Sequence, residues 1–230
     1  MAHFDTKEIV IGGTEWKTAP FRFDKMFILG AKEQGILPSD YTQLEYIEGT
    51  GTQWIDTQTK IIPKNYDTII DLTMGKCTNL VNTENGIFGL CRYTGSTWAN
   101  QAGARWKTID ILRGSWASAF NDNTVTQQNI NYLHIEKDNT IFNNNLLSNF
   151  RFSTSTSGIF SIILFATYPQ VDKTGAIRIY YCKISNKDGE VLRELIPARR
   201  KSDNELGLYD TVEGIFLTNS GTGSFITADS

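Results

Sequence analysis

Short apolar runs recur along the chain and are broken by Gly, Asn and Asp about every ten residues, the rhythm of an all-β chain. In the stretch from Tyr66 to Met74, the residues Tyr66, Ile70, Leu72 and Met74 fall on one face and Asp67, Asp71 and Thr73 on the other. That period of two predicts a strand with one face in a core. The segment from Ile130 to Lys137, the pair Asp138-Asn139 and the segment from Thr140 to Phe142 read as strand, turn and strand, because Asp and Asn tolerate the positive φ of a two-residue hairpin turn. From Ala176 to Ile184 both faces carry large residues, which suits a central strand covered from both sides. Its partner is expected at Glu190 to Ile196, across a turn from Asn186 to Gly189. Gly49-Thr50-Gly51 lies between Gln43–Glu48 and Thr52–Thr57 and reads as the turn of an opening hairpin. Leu206–Asp210 and Gly214–Leu217 flank a closing one. No segment sustains the i, i+3, i+4, i+7 spacing of a helix over three turns. Arg22 to Gln34 has room for a turn or two, but Phe27-Ile-Leu29 followed by Gly30 fits a strand better. Many short strands in 230 residues predict a two-sheet sandwich or jelly roll as one domain.

The first 35 residues differ in kind. Lys7 to Trp16 and Lys25 to Glu33 share a loose pattern of Lys, a short apolar run, Gly, a small residue and Glu. As two small strand pairs they would need a partner surface, since an isolated hairpin is marginal in water. Ile9, Ile11, Trp16, Phe21, Phe23, Phe27 and Leu29 are the candidate attachment residues. Ile36 to Asp40 reads as the linker into a main domain spanning residues 36–230.

Charge and cysteine usage remove several functions. A net charge of −3 argues against a nucleic-acid binder, which gathers Lys and Arg on one face. The basic run Arg199-Arg200-Lys201, followed by Ser202-Asp203-Asn204, reads as a solvated turn. The most apolar window, Ile159 to Thr167, is about half the ~20 residues that span a bilayer, so no membrane insertion is expected. Asp5, Lys7 and Glu8 interrupt any apolar leader; a protein acting outside its cell of synthesis would then leave within an assembly released by lysis. Cys77, Cys91 and Cys182 are odd in number and widely spaced, which predicts free, mostly buried thiols.

The run LPSDYTQLEYIEGTGTQWIDT, Leu37 to Thr57, is similar to the opening of laminin G-like, concanavalin A-like jelly-roll domains found in proteins of phages and gut bacteria. The run from Ile177 to Phe225 resembles the closing strands of the same domains. Between them, Lys60 to Thr174 matches only in strand rhythm. The resemblance implies an all-β, concanavalin A-like jelly-roll sandwich behind a short N-terminal β-hairpin attachment segment. It also implies that the first and last strands lie side by side, so residues 43–57 should approach residues 206–226. Such domains serve as carbohydrate-binding modules, adhesion modules, virion decorations and some glycosidases, and laminin G-like members often hold calcium on the rim. No calcium ligand carries over to a residue of this chain. Short Gly-punctuated strands ahead of such a domain resemble the attachment ends of phage virion and fibre proteins.

Glycosidases of this fold place carboxylates on one strand in an ExDxE or ExDxxE string. This chain has none; Glu45 and Glu48 would point to opposite faces of a strand. His3 and His134 are the only histidines, and GxSxG, Walker and HExxH motifs are missing, so no enzyme is expected. The stretch from Tyr93 to Trp106 mixes aromatic platforms with amide and guanidinium donors. Tyr93, Trp98, Asn100, Gln101 and Arg105 are the candidate carbohydrate-binding residues, on a loop between strands. The competing reading has Trp98, Trp106 and Trp116 filling the core, and the Asn121–Asn123 and Asn143–Asn145 clusters are turn chemistry first. The expectation is therefore a phage capsid or tail fibre or surface decoration. It would sit on the virion surface, bound to other virion proteins through residues 1–35 and to glycans through the jelly roll, as a homo-oligomer that includes the trimer. Two other readings are a carbohydrate-binding accessory or glycosidase-like protein of a gut bacterium, and a purely architectural virion subunit.

Overall fold

A computed structural model describes residues 37–62, 68–76, 85–93, 98–106, 110–113, 115–118, 130–136, 140–142, 145–146, 158–167 and 174–228. The chain divides between Gly35 and Ile36 into two units. The expected attachment residues Ile9, Ile11, Trp16, Phe21, Phe23, Phe27 and Leu29 lie outside the described residues, as do Tyr66, Asp67, Cys77, Asp138 and Asn139.

Among the described residues there are strands and no helix. In chain order they are β1 (Tyr41–Gln43), β2 (Ile47–Glu48), β3 (Ile55–Ile61), β4 (Thr68–Lys76), β5 (Asn85–Tyr93), β6 (Trp98–Trp106), β7 (Asp110–Arg113) and β8 (Ser115–Ser118). They continue as β9 (Asn131–Ile135), β10 (Thr140–Phe142), β11 (Asn145–Leu146), β12 (Phe160–Leu164), β13 (Ile177–Asn186), β14 (Val191–Arg200), β15 (Leu206–Asp210) and β16 (Ile215–Leu217). The large sheet has ten strands, in the order β11-β10-β9-β4-β13-β14-β15-β16 with β1 added to β14 and β2 to β13. The small sheet has six, in the order β3-β12-β5-β6-β7-β8. The pairings are antiparallel.

Alternation dictates how the sheets meet. Ile70, Leu72 and Met74 of β4, Ile177, Ile179, Cys182 and Ile184 of β13, and Leu195 and Leu208 share one buried cluster with Ile55, Ile87, Leu90, Ile162 and Leu164 of the small sheet. The apolar faces therefore pack against each other as an open antiparallel sandwich. The apolar window read at Ile159–Thr167 holds β12, which lies between β3 and β5 and is buried throughout. Phe160, Ile162 and Leu164 enter the shared core, while Ile163 packs with Cys91 and Ala166 in a second cluster. Cys91 and Cys182 are free and buried, as expected.

The hairpins β13–β14 and β15–β16 form as their local turns predict; β9 and β10 also pair antiparallel, but with Thr140 opposite Ile135 rather than Lys137, and the expected turn residues Asp138 and Asn139 lie outside the described residues. Strand β14 runs four residues beyond its expected end and passes through Pro197, whose carbonyl accepts the Leu44 amide at 2.9 Å. The opening hairpin is a different matter. β2 pairs with β13 in the large sheet and β3 with β12 in the small one, so Gly49-Thr50-Gly51 carries the chain from one sheet to the other. Two glycines suit the crossing: a Cβ on Gly49 would lie 2.6 Å from the Gly175 carbonyl oxygen, and Gly51 has φ 100°. The predicted approach of residues 43–57 to 206–226 is present. Glu48 and Ile226 exchange backbone bonds of 2.8 and 3.0 Å, and Ser220 and Thr222 donate to the carbonyls of Trp54 and Thr52.

A partly buried arginine ties the sheets together beside this seam. Arg193 of β14 directs Nε to the Thr57 carbonyl of β3 at 3.2 Å, with Asp210 Oδ2 at 3.3 Å. The other Asp210 oxygen accepts the amides of Glu194 and Val212, at 3.1 and 3.0 Å.

Gly89 of β5 is crossed closely by the Thr167 backbone, whose carbonyl oxygen any Cβ would strike. Gly89→Ala is expected to cost about 2 kcal/mol of stability by overpacking, read as a lower urea midpoint at unchanged slope. An unaltered midpoint would show that this crossing is looser than described.

Candidate functional site

The outward face of the large sheet is built by the same alternation that fills the core. With Ile70, Leu72 and Met74 turned inward, Asp71 and Thr73 turn outward; Leu133 and Ile135 likewise leave Tyr132 and His134 on the outside. Register then aligns them. His134 of β9 stands opposite Asp71 of β4, Asp71 opposite Lys183 of β13, and Lys183 opposite Glu194 of β14. A row of ionisable side chains thus crosses four adjacent strands, at about 4.8 Å per step.

The groups in this row are joined. Asp71 Oδ1 accepts the Tyr132 hydroxyl and lies 2.7 Å from His134 Nδ1, and Lys183 Nζ stands 3.7 Å from Oδ2. His134 Nε2 is 4.0 Å from Glu136 Oε2. The Tyr181 hydroxyl donates to Glu194 Oε1 at 2.8 Å, and the Thr211 hydroxyl to Oε2 at 2.9 Å. Burial alone would raise the Asp71 carboxyl, but hydrogen bonds from His134 and Tyr132, with the charges of His134 and Lys183, hold it below the ordinary aspartate range. The tyrosines move the other way. Burial, then the neighbouring Asp71 carboxylate, raises Tyr132; burial, then the bond to Glu194, raises Tyr181. Both hydroxyls stay protonated and donate inward.

β13 carries a bulge at the centre of this face. Ile179 opposes Met74 and Tyr181 opposes Thr73, so Tyr180 is an extra residue. The bulge interrupts the period of two and turns consecutive tyrosines outward. Tyr180 meets Tyr46 with ring centroids 5.5 Å apart, and the Arg178 guanidinium lies 4.5 Å over the Tyr46 ring while its Nε bonds Glu48 Oε2 at 2.6 Å. The outward side of β13, expected to be covered, is half-buried along Arg178, Tyr180, Tyr181 and Lys183.

The sequence-predicted carbohydrate residues lie on strands of the small sheet rather than on a loop. Trp98 opposes Tyr93 at one end of the β5–β6 pair, Asn100 opposes Cys91, and Gln101 falls at a register shift. Arg105 opposes Gly86, seven residues or roughly 23 Å along the strand from Trp98. The backbone therefore groups Tyr93, Trp98, Asn100 and Gln101 and sets Arg105 apart. The Arg199-Arg200-Lys201 run borders a turn as read, with Arg200 Nη2 2.7 Å from Asp203. Among the described residues no group of three or more His, Cys, Asp or Glu is placed to hold a metal ion. No helix among them is long and apolar enough to cross a membrane.

Sequence reasoning did not find the row from His134 to Glu194. Its signals were the outward placing of Asp71 and the doubled tyrosine at Tyr180-Tyr181; neither discloses which strands are neighbours. The chain matches no family model, no curated protein and no solved structure.

Chemically, the face offers hydrogen-bond donors and acceptors in fixed positions beside tyrosine rings, which suits recognition of a polar ligand. Its Asp71 network also has a pH signature. The Asp71 carboxyl is lowered on folding from an ordinary value of 3.8, so its contribution is complete above that value and is lost as pH falls through the folded one. Asp71→Asn is expected to lower stability by about 2 kcal/mol at pH 7, with the gap to wild type closing below about pH 3.9. Urea midpoints measured across that range check this, and a gap that persists into acid would contradict the assignment.

Proposed function

We propose that this chain is a non-enzymatic structural and adhesion protein of a phage particle. In this reading residues 1–35 attach it to other virion proteins, and residues 36–230 form a concanavalin A-like jelly roll on the virion surface that holds host-surface or mucosal glycans. The observation that carries the reading is the meeting of the two blocks that resemble laminin G-like domains. The opening block contributes β1, β2 and the start of β3, the closing block β13 to β16, and they join through the pairings of β1 with β14 and of β2 with β13. Opening and closing segments held together are what the resemblance to such a jelly roll implies. Two surfaces have the polar and aromatic content that glycan recognition uses: the end of β5–β6 with Tyr93, Trp98, Asn100 and Gln101, and the outward face of the large sheet. Adhesion by such a domain is weak per site and gains from many copies or from a trimer.

Cryo-electron microscopy of the source particle tests the assignment, with density for the sandwich at the particle surface as the expected result. Removing residues 1–35 is expected to leave a folded, soluble domain that no longer joins particles. A truncate that fails to fold, or one that still assembles, would overturn the two-part reading.

A further inference from the structure

Two dipeptides of the chain join Asn or Asp to Gly: Asn85-Gly86 and Asp188-Gly189. Such pairs are chemically labile, because a glycine carries no Cβ to keep its backbone nitrogen from reaching the preceding side-chain carbonyl carbon. In an unfolded chain at neutral pH the Asn-Gly pair reacts first, since an amide is attacked more readily than a carboxyl that is almost wholly ionised. The fold reverses that order.

Asn85-Gly86 opens β5. Gly86 is buried and lies in the ladder opposite Arg105. The Gly175 backbone crosses so closely that a Cβ on Gly175 would stand 3.1 Å from the Gly86 nitrogen. A nitrogen packed in this way has no room to swing toward the residue before it. Asp188-Gly189 is the opposite case. It forms the tip of the turn between β13 and β14, where residues 187–190 are all exposed. Gly189 has φ 86°, and nothing lies within 4 Å of the place a Cβ would take. Turn tips of this kind open at little cost in free energy.

What restrains the pair is Asn186. Its carbonyl accepts the Gly189 amide at 3.0 Å, and its own amide donates to the Glu190 carbonyl at 2.9 Å. Its side-chain Oδ1 accepts the amides of Asp188 and Glu190 at 3.0 and 2.9 Å, while Nδ2 donates to Glu190 Oε2 at 2.9 Å. The attacking nitrogen and both of its neighbours along the chain are thus held by one residue.

We infer that Asp188 is a site of spontaneous isomerisation to isoaspartate in the folded chain, and that Asn186 is the positioning residue that sets its rate. The Gly189 nitrogen forms a bond to Asp188 Cγ; the carboxyl hydroxyl leaves with the proton of that nitrogen as water, closing a five-membered succinimide. Water then adds back at either ring carbonyl. Opening at the side-chain carbonyl restores aspartate, and opening at the main-chain carbonyl leaves isoaspartate, with no oxidation or reduction at any step. The product has one more methylene in the main chain and a free α-carboxylate. The bonds that Asn186 makes across the turn no longer match the longer chain, so the β13–β14 hairpin loosens at its tip. Nothing in this inference depends on the adhesion reading.

The test is incubation of the full chain in neutral buffer, folded and in guanidinium chloride. Peptide mapping with electron-transfer fragmentation locates the isoaspartate, and enzymatic methylation of isoaspartate measures its amount. The folded wild type is expected to gain isoaspartate at Asp188 well before Asn85 changes, and the denatured chain to show Asn85 changing first. Asn186→Ala is expected to raise the rate at Asp188 several-fold and to leave Asn85 unreactive. If that variant fails to fold, the comparison of folded with denatured wild type decides the site alone. Conversion of Asn85 first in the folded chain, or no isoaspartate at Asp188 there, would overturn the site. An unchanged rate in a folded Asn186→Ala, or a rise at both positions together, would overturn the role of Asn186.

Discussion

The burial of one side of β13 governs the domain. Ile177, Ile179, Cys182 and Ile184 are all removed from water, and both edges of the strand are occupied, one by β4 and the other by β2 and β14. A slip of one residue would turn the inward side chains out and bring Arg178 and Lys183 into the core, so the register is fixed by hydrophobic burial. Once β13 is fixed, its neighbours are too. β4 brings Asp71, β9 follows β4 with His134, and β14 presents Glu194. The polar row on one side of the sheet is thus a by-product of the apolar one on the other, and the bulge at Tyr180 is where the strand turns two consecutive side chains outward.

The sequence disclosed the parts of the fold that depend on neighbours along the chain. Alternation at Ile70, Leu72 and Met74 identified a core-facing strand, and the turns after Asn186 and after Asp210 identified hairpins, because a tight turn brings its own flanks together. Gly49-Thr50-Gly51 shows where that logic fails. The same residues can close a hairpin or carry a chain between sheets, and the choice rests on where the partners lie. The partner of Glu48 is Arg178, 130 residues on; that of Thr57 is Ile162, 105 residues on.

The candidate sites were legible to different degrees for the same reason. The stretch from Tyr93 to Trp106 drew notice because its aromatic and amide residues are close in sequence, yet an extended strand separates Arg105 from Trp98. The row on the large sheet joins residues of four strands from three distant parts of the chain, β4, β9 and the β13–β14 hairpin, none distinctive alone. Asp71 read only as the polar side of a strand and His134 as a lone histidine. Cross-strand register made them neighbours.

The bond between the Thr227 hydroxyl and the Tyr46 carbonyl spans 181 residues, and the Glu48–Ile226 pair beside it is nearly as remote. During synthesis β2 therefore waits for almost the whole chain before its surroundings are complete. Contacts of such long range make folding slow, and until they form, unsatisfied strand edges stand open to other chains. The seam between first and last strands thus sets a temporal order as well as a spatial one. The sandwich closes only once its final strands have left the ribosome, and crowding of unfinished copies is the hazard built into its topology.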